Sequence, residues 1–254
     1  MMRVRTLMLP ILSLILSACA TGGGDGGKAI GLKESSPAEV YVKLGVRYME
    51  LGQMDVALSR MEQAIKVDPK YSQAHNAIAV LYERLELPDT ARGHFEQAMD
   101  LNPSNVAVLT NYGRFLCERG EYDKADRLFS RAIAMPLNKR PWLAMANAGR
   151  CLRRAGKDEE AEKQLREVLE RNPKFAPALL DMLEISFQNQ QYLSARAFLQ
   201  RYLEVAQHTP KTLWLGIQSE MALGNQALVD EYSAYLNKKF PQSPEAAKLR
   251  EMNR

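Results

Sequence analysis

The 254-residue sequence predicts an all-α fold, a stack of about six antiparallel helix pairs. Three observations carry that prediction. Residues recur at a spacing of 34: Gly45, Tyr48, Ala57, Ala64 and Pro69 return as Ala79, Tyr82, Ala91, Ala98 and Pro103, and in part as Gly113, Ala125 and Ala132. Small side chains fall at matching places, Gly45, Ala79, Gly113 and Gly149 on the first helix of each pair and Ala57, Ala91, Ala125 and Ala161 on the second, where two backbones approach closely. Pro69, Pro103 and Pro173, each behind a turn former (Asp68, Asn102, Asn172), close the units, because proline lacks the amide donor and clashes with the preceding turn.

The chain opens on a segment outside this pattern. Residues 1–18 read as a secretion signal: Arg3 and Arg5 precede an apolar run from Leu7 to Leu16 that is too short for the ~20 residues a bilayer span needs. It ends in Leu16-Ser17-Ala18-Cys19, which resembles the bacterial lipobox and implies cleavage before Cys19 with a covalent lipid on its sulfur. Ala20 follows, where an aspartate would be the usual inner-membrane retention signal, so the resemblance implies an outer-membrane anchor with the rest of the chain in the periplasm. Residues 19–37 form a tether whose stretch Thr21-Gly22-Gly23-Gly24-Asp25-Gly26-Gly27 is too rich in glycine to pack.

Residues 38–254 are the expected repeat domain, with units at 38–71, 72–105, 106–139, 142–175, 176–208 and 209–241. A period of 34 with these small, aromatic and proline positions resembles the tetratricopeptide repeat, which implies a right-handed superhelical stack that binds segments of other proteins in its groove. Units five and six keep only parts of the pattern (Ala195 and Leu199; Leu215, Gly216 and Pro241), as expected where a terminal unit has no neighbour to satisfy. Between units three and four, Met135-Pro136-Leu137-Asn138-Lys139-Arg140-Pro141-Trp142 adds two residues and predicts a stiff, altered connection.

Composition and charge narrow the function. The formal charge is +4, and removal of a leader carrying Arg3 and Arg5 lowers it to +2, with Lys and Arg interleaved with Asp and Glu along every unit. A nucleic-acid partner, which calls for a concentrated basic face, is not expected. His75, His94 and His208 are far apart and fit no metal-ligand spacing, and Glu159-Glu160 open a second helix, where negative charge suits the helix dipole. Neither an enzyme, a metal, a cofactor beyond the lipid nor a small-molecule substrate is expected. His75 falls where the repeat prefers a large packing side chain and reads as core.

With Cys19 consumed by lipid, Cys117 and Cys151 are left in a disulfide-forming compartment, near the ends of successive first helices. They are expected to bond across the irregular linker; two separate buried thiols are the alternative. First-helix positions that line the groove in such stacks give an apolar set, Val42, Val46, Met49 and Val80, with Asn76 available to pair with a bound main chain and Arg84 beside it. Contact with the tether or a cap is the alternative reading of that apolar set. Unit four places Arg150, Arg153 and Arg154 on its groove side, a basic patch for an acidic segment.

A narrower resemblance follows. Asn111-Tyr112-Gly113-Arg114-Phe115-Leu116-Cys117, then Gly120, Tyr122, Ala125, Phe129 and Ala132, then Asn147-Ala148-Gly149-Arg150-Cys151, resembles the PilF/PilW family of type IV pilus biogenesis lipoproteins over essentially the whole mature chain. The resemblance implies a pilotin: an outer-membrane lipoprotein that helps localise and assemble the secretin, the multimeric pore through which the pilus emerges. A periplasmic scaffold for cell-wall hydrolases, or an accessory of barrel assembly, would share the anchor and repeats but gives no reason for the paired cysteines.

Overall fold

The computed structural model describes residues 35–252, so the signal segment, Cys19 and most of the tether lie outside the described residues. Thirteen helices and no strand occur among them. Twelve form six consecutive pairs: α1 (Pro37–Glu50) with α2 (Met54–Val67), α3 (Ser72–Arg84) with α4 (Pro88–Leu101), and α5 (Val106–Glu118) with α6 (Tyr122–Ala134). The series continues with α7 (Pro141–Arg154) and α8 (Asp158–Arg171), α9 (Ala176–Gln188) and α10 (Tyr192–Leu203), and α11 (Pro210–Ala222) and α12 (Gln226–Lys239). A last helix, α13 (Pro244–Met252), packs on α11 and α12. Each first helix also touches the first helix of the next unit, which lines these helices up along one side of the stack.

Local chemistry accounts for the boundaries. The second helices of units one, two and four stop at Val67, Leu101 and Arg171, followed by Asp68, Asn102 and Asn172 with φ near −139°, −151° and −143°, and then by the three closing prolines. Ser36 and Asn105 accept hydrogen bonds from the free amides of α1 and α5, and Thr209 with Thr212 forms a capping box at α11. The turn inside each pair needs one residue in the left-handed region. Gly52, Gly120, Gly156 and Gly224 take it at φ 72–76°, and Glu86 and Gln190 take it at 59° in units two and five.

The small positions are required by close approach. A Cβ on Gly113 would stand 2.8 Å from the Phe129 ring, and one on Gly45 2.7 Å from Met61. Around these contacts runs the core, in which Phe95, Phe115 and Phe129 are fully buried. The irregular linker is a turn closed by the Asn138 amide on the Met135 carbonyl, and Asn138 Nδ2 ties it to the Ala132 carbonyl at 2.8 Å. Pro141 then serves as the first residue of α7, where its missing donor costs nothing.

Candidate functional site

Two surfaces of the stack are candidates, and the first is its open N-terminal edge. In units two, three, four and five the third residue is Ala74, Val108, Ala144 or Ala178, at most 1% exposed; Ile78, Ala148 and Met182 at the seventh residue are buried too. These side chains pack against the preceding unit. Unit one has no preceding unit among the described residues, so its counterparts Val40 and Leu44 are 43% and 41% exposed. Leu51 extends the same face of α1.

This geometry corrects the sequence reading of the groove. Met49 is buried, and Val42, Val46 and Val80 pack partly buried on the core formed with Met61, Ile78 and Leu81. The reason is the helical repeat: residues 42, 45, 46 and 49 lie on the face that α1 turns toward α2 and α3, while 40, 44 and 51 lie opposite. Asn76 is buried as well, and its Oδ1 accepts from Asn111 Nδ2 at 3.2 Å, so that oxygen is already engaged within the stack. Arg84 reaches back to the Met49 carbonyl at 3.4 Å. The exposed apolar pair was legible in principle, because a first unit must leave its inter-unit positions uncovered.

The second surface is the groove side of units four to six, where Arg150, Arg153 and Arg154 come together with Lys211 around a cleft of about 650 Å³. The patch is largely neutralised by carboxylates. Arg150 Nε donates to Asp181 at 2.8 Å, Arg153 Nη1 lies 3.3 Å from Glu184, and Lys211 Nζ lies 2.6 Å from the same glutamate. Burial pushes the Asp181 carboxyl up, and the field of Arg150 and its hydrogen bond pull the other way. Sequence spacing did not reveal these carboxylates. Arg154 is exposed, and its side chain makes no ion pair or hydrogen bond among the described residues.

Cys117 and Cys151 are joined as a disulfide, with Cα atoms 5.7 Å apart, which ties α5 to α7 across the irregular linker. His75 is buried, with Nε2 3.1 Å from the Pro69 carbonyl and Nδ1 3.2 Å from Nδ1 of His94. That pairing, between residues treated as unrelated on sequence, came from the antiparallel packing of α3 and α4.

Tetratricopeptide repeat family models match residues 42–106, 105–174 and 152–213. The type IV pilus assembly protein PilF of Pseudomonas aeruginosa is 24% identical over 244 residues, covering 96% of this chain and 97% of that protein. The crystal structure of PilW, described as a widely conserved type IV pilus biogenesis factor, is 30% identical with a TM-score of 0.75, over 84% of this chain and 97% of that one. The structure of P. aeruginosa PilF matches with a TM-score of 0.73 at 23% identity, over 85% of this chain and 97% of that one, and supports the fold.

Proposed function

This chain belongs to the tetratricopeptide-repeat family, among the PilF- and PilW-like type IV pilus biogenesis factors, and we propose that it serves there as a lipid-anchored adaptor for the secretin. In this reading Cys19 carries the lipid, the outer membrane holds the chain, and the repeat domain in the periplasm gathers secretin subunits for multimer assembly. No chemistry is involved. The observation that carries the binding role is the uncovered edge of unit one, where Val40 and Leu44 are exposed at positions that units two, four and five bury against a neighbour, and that unit three fills with buried Val108 and half-buried Tyr112. An apolar helix or hairpin of a partner laid on that edge would complete the stack as a further unit does, and exposed apolar surface of this kind favours such association.

The test is substitution of this edge. Val40→Asp with Leu44→Asp places charge where a partner would pack while leaving the interior untouched, so the variant should keep its thermal midpoint. The amount of secretin recovered with it from detergent-solubilised membranes should fall at least about tenfold, the loss expected when buried contacts at an interface centre are removed. Unchanged secretin recovery would remove the edge from the mechanism. Recovery of cell-wall hydrolases without secretin, from the unmodified chain, would overturn the adaptor role itself.

A further inference from the structure

The ion pairs along the first helices change direction at the junction of units three and four. From unit two to unit three the acid comes first: Glu83 on α3 accepts from both Nη groups of Arg114 on α5, at 2.6 and 3.1 Å, across 31 residues. From unit four to unit five the arginine comes first, in Arg150 with Asp181 and Arg153 with Glu184, again across 31 residues. Between them Cys117 stands in the place of Glu83 and is bonded to Cys151, the residue after Arg150, in a bridge that bears no charge. Arg114 and Arg150 therefore flank the disulfide, with Arg154 next to them, around a small cavity of about 140 Å³. Glu118 is the one carboxylate among the residues that line it, and it is already bonded to Arg114 at 3.1 Å.

The donors there are incompletely used. Among the described residues, Arg150 employs only Nε, leaving both Nη groups, and the Arg154 guanidinium has no partner. Asn147 donates to the Leu143 carbonyl at 3.0 Å, and its Oδ1 is left to accept. We propose that this cavity is a binding subsite for an acidic side chain of an extended peptide segment: its carboxylate lies between Arg150 and Arg154, and a main-chain N–H of the segment donates to Asn147 Oδ1. Arg150 and Arg154 also line the larger cleft toward unit six, so the segment continues along the groove over Arg153 and Lys211. Charge-assisted bonds from planar guanidinium groups suit a carboxylate in both geometry and strength.

The site adds to the secretin reading and does not depend on it, since the edge of unit one is a separate surface. The test is a fluorescence-polarisation titration of the full chain with a short Asp/Glu-rich peptide, blocked at both ends so that no terminal carboxylate takes part, beside its Asn/Gln counterpart. The acidic peptide should bind, its amide counterpart should not, and the affinity should fall as salt is raised. Arg150→Gln with Arg154→Gln should weaken binding at least about tenfold, whereas Arg127→Gln, which lines neither cavity, should not. Arg127→Gln should keep the thermal midpoint of the parent because Arg127 is exposed. The double variant also gives up the Arg150–Asp181 pair and should melt somewhat lower, so Arg154→Gln alone, with no partner to lose, is the variant that must weaken binding without moving the midpoint. Equal binding of the two peptides, or unchanged affinity in the double variant, would overturn the proposal, as would displacement by inorganic phosphate at matched concentration.

Discussion

His94 stacks on Tyr82, with ring centroids 5.5 Å apart, and meets His75 through their Nδ1 atoms. If His75 donates through Nε2 to the Pro69 carbonyl, its Nδ1 must accept, so His94 is the donor of that pair. Burial, and then the neighbouring His75, lower the His94 pKa below its usual value. The folded state thus holds the neutral form, and the unfolded chain binds the extra proton. Stability is full above about pH 6.5 and is lost as the pH falls through the lowered folded value. His208, lowered by burial near Tyr232 and Tyr235 and raised by Glu231, adds to the same slope. Thermal melts between about pH 7 and 5 should show the midpoint declining, and His94→Phe, which keeps an aromatic surface on Tyr82, should flatten that decline. A parallel decline in the variant would assign the sensitivity elsewhere.

At the scale of elements, the period predicted where helices end better than what their faces touch. The left-handed turn residue inside each pair falls at 52, 86, 120, 156, 190 and 224, a spacing of 34 broken once to 36 by the linker. Glycine marks it in four units; Glu86 and Gln190 hide it in the others, since a turn conformation imposed by packing leaves no trace in those side chains. The disulfide was legible because it needed only compartment and register. Closing a loop of 34 residues should stabilise the fold by roughly 3–4 kcal/mol through the entropy of the unfolded chain. Denaturant unfolding with and without reductant should differ by about that amount, and Cys117→Ala with Cys151→Ala should match the reduced protein. Insensitivity to reductant, with two titratable thiols in the unfolded chain, would show that the bond does not form.

For the whole molecule, the proposed function divides the work between an anchor and two surfaces. The proposed lipid at Cys19 sets where the chain resides, and Cys19→Ser should move it from the outer-membrane fraction to the soluble periplasm and abolish labelling by palmitate. Continued sedimentation with membranes would rule out the lipid as the anchor. No helix among the described residues is long and apolar enough to cross a bilayer. The 34-residue spacing, the closing prolines and the cysteine register are properties of the chain read along its length; they predicted about six helix pairs and brought Cys117 and Cys151 onto neighbouring first helices, while α13 and the choice of a bond over two separate thiols came from the structure. Which side of α1 is open, which acid each groove arginine meets, and that His75 meets His94 were decided by tertiary packing. Those contacts join residues 19 to 31 positions apart, and the offset between packed helices, which no local pattern encodes, selects among several side chains of the right chemistry.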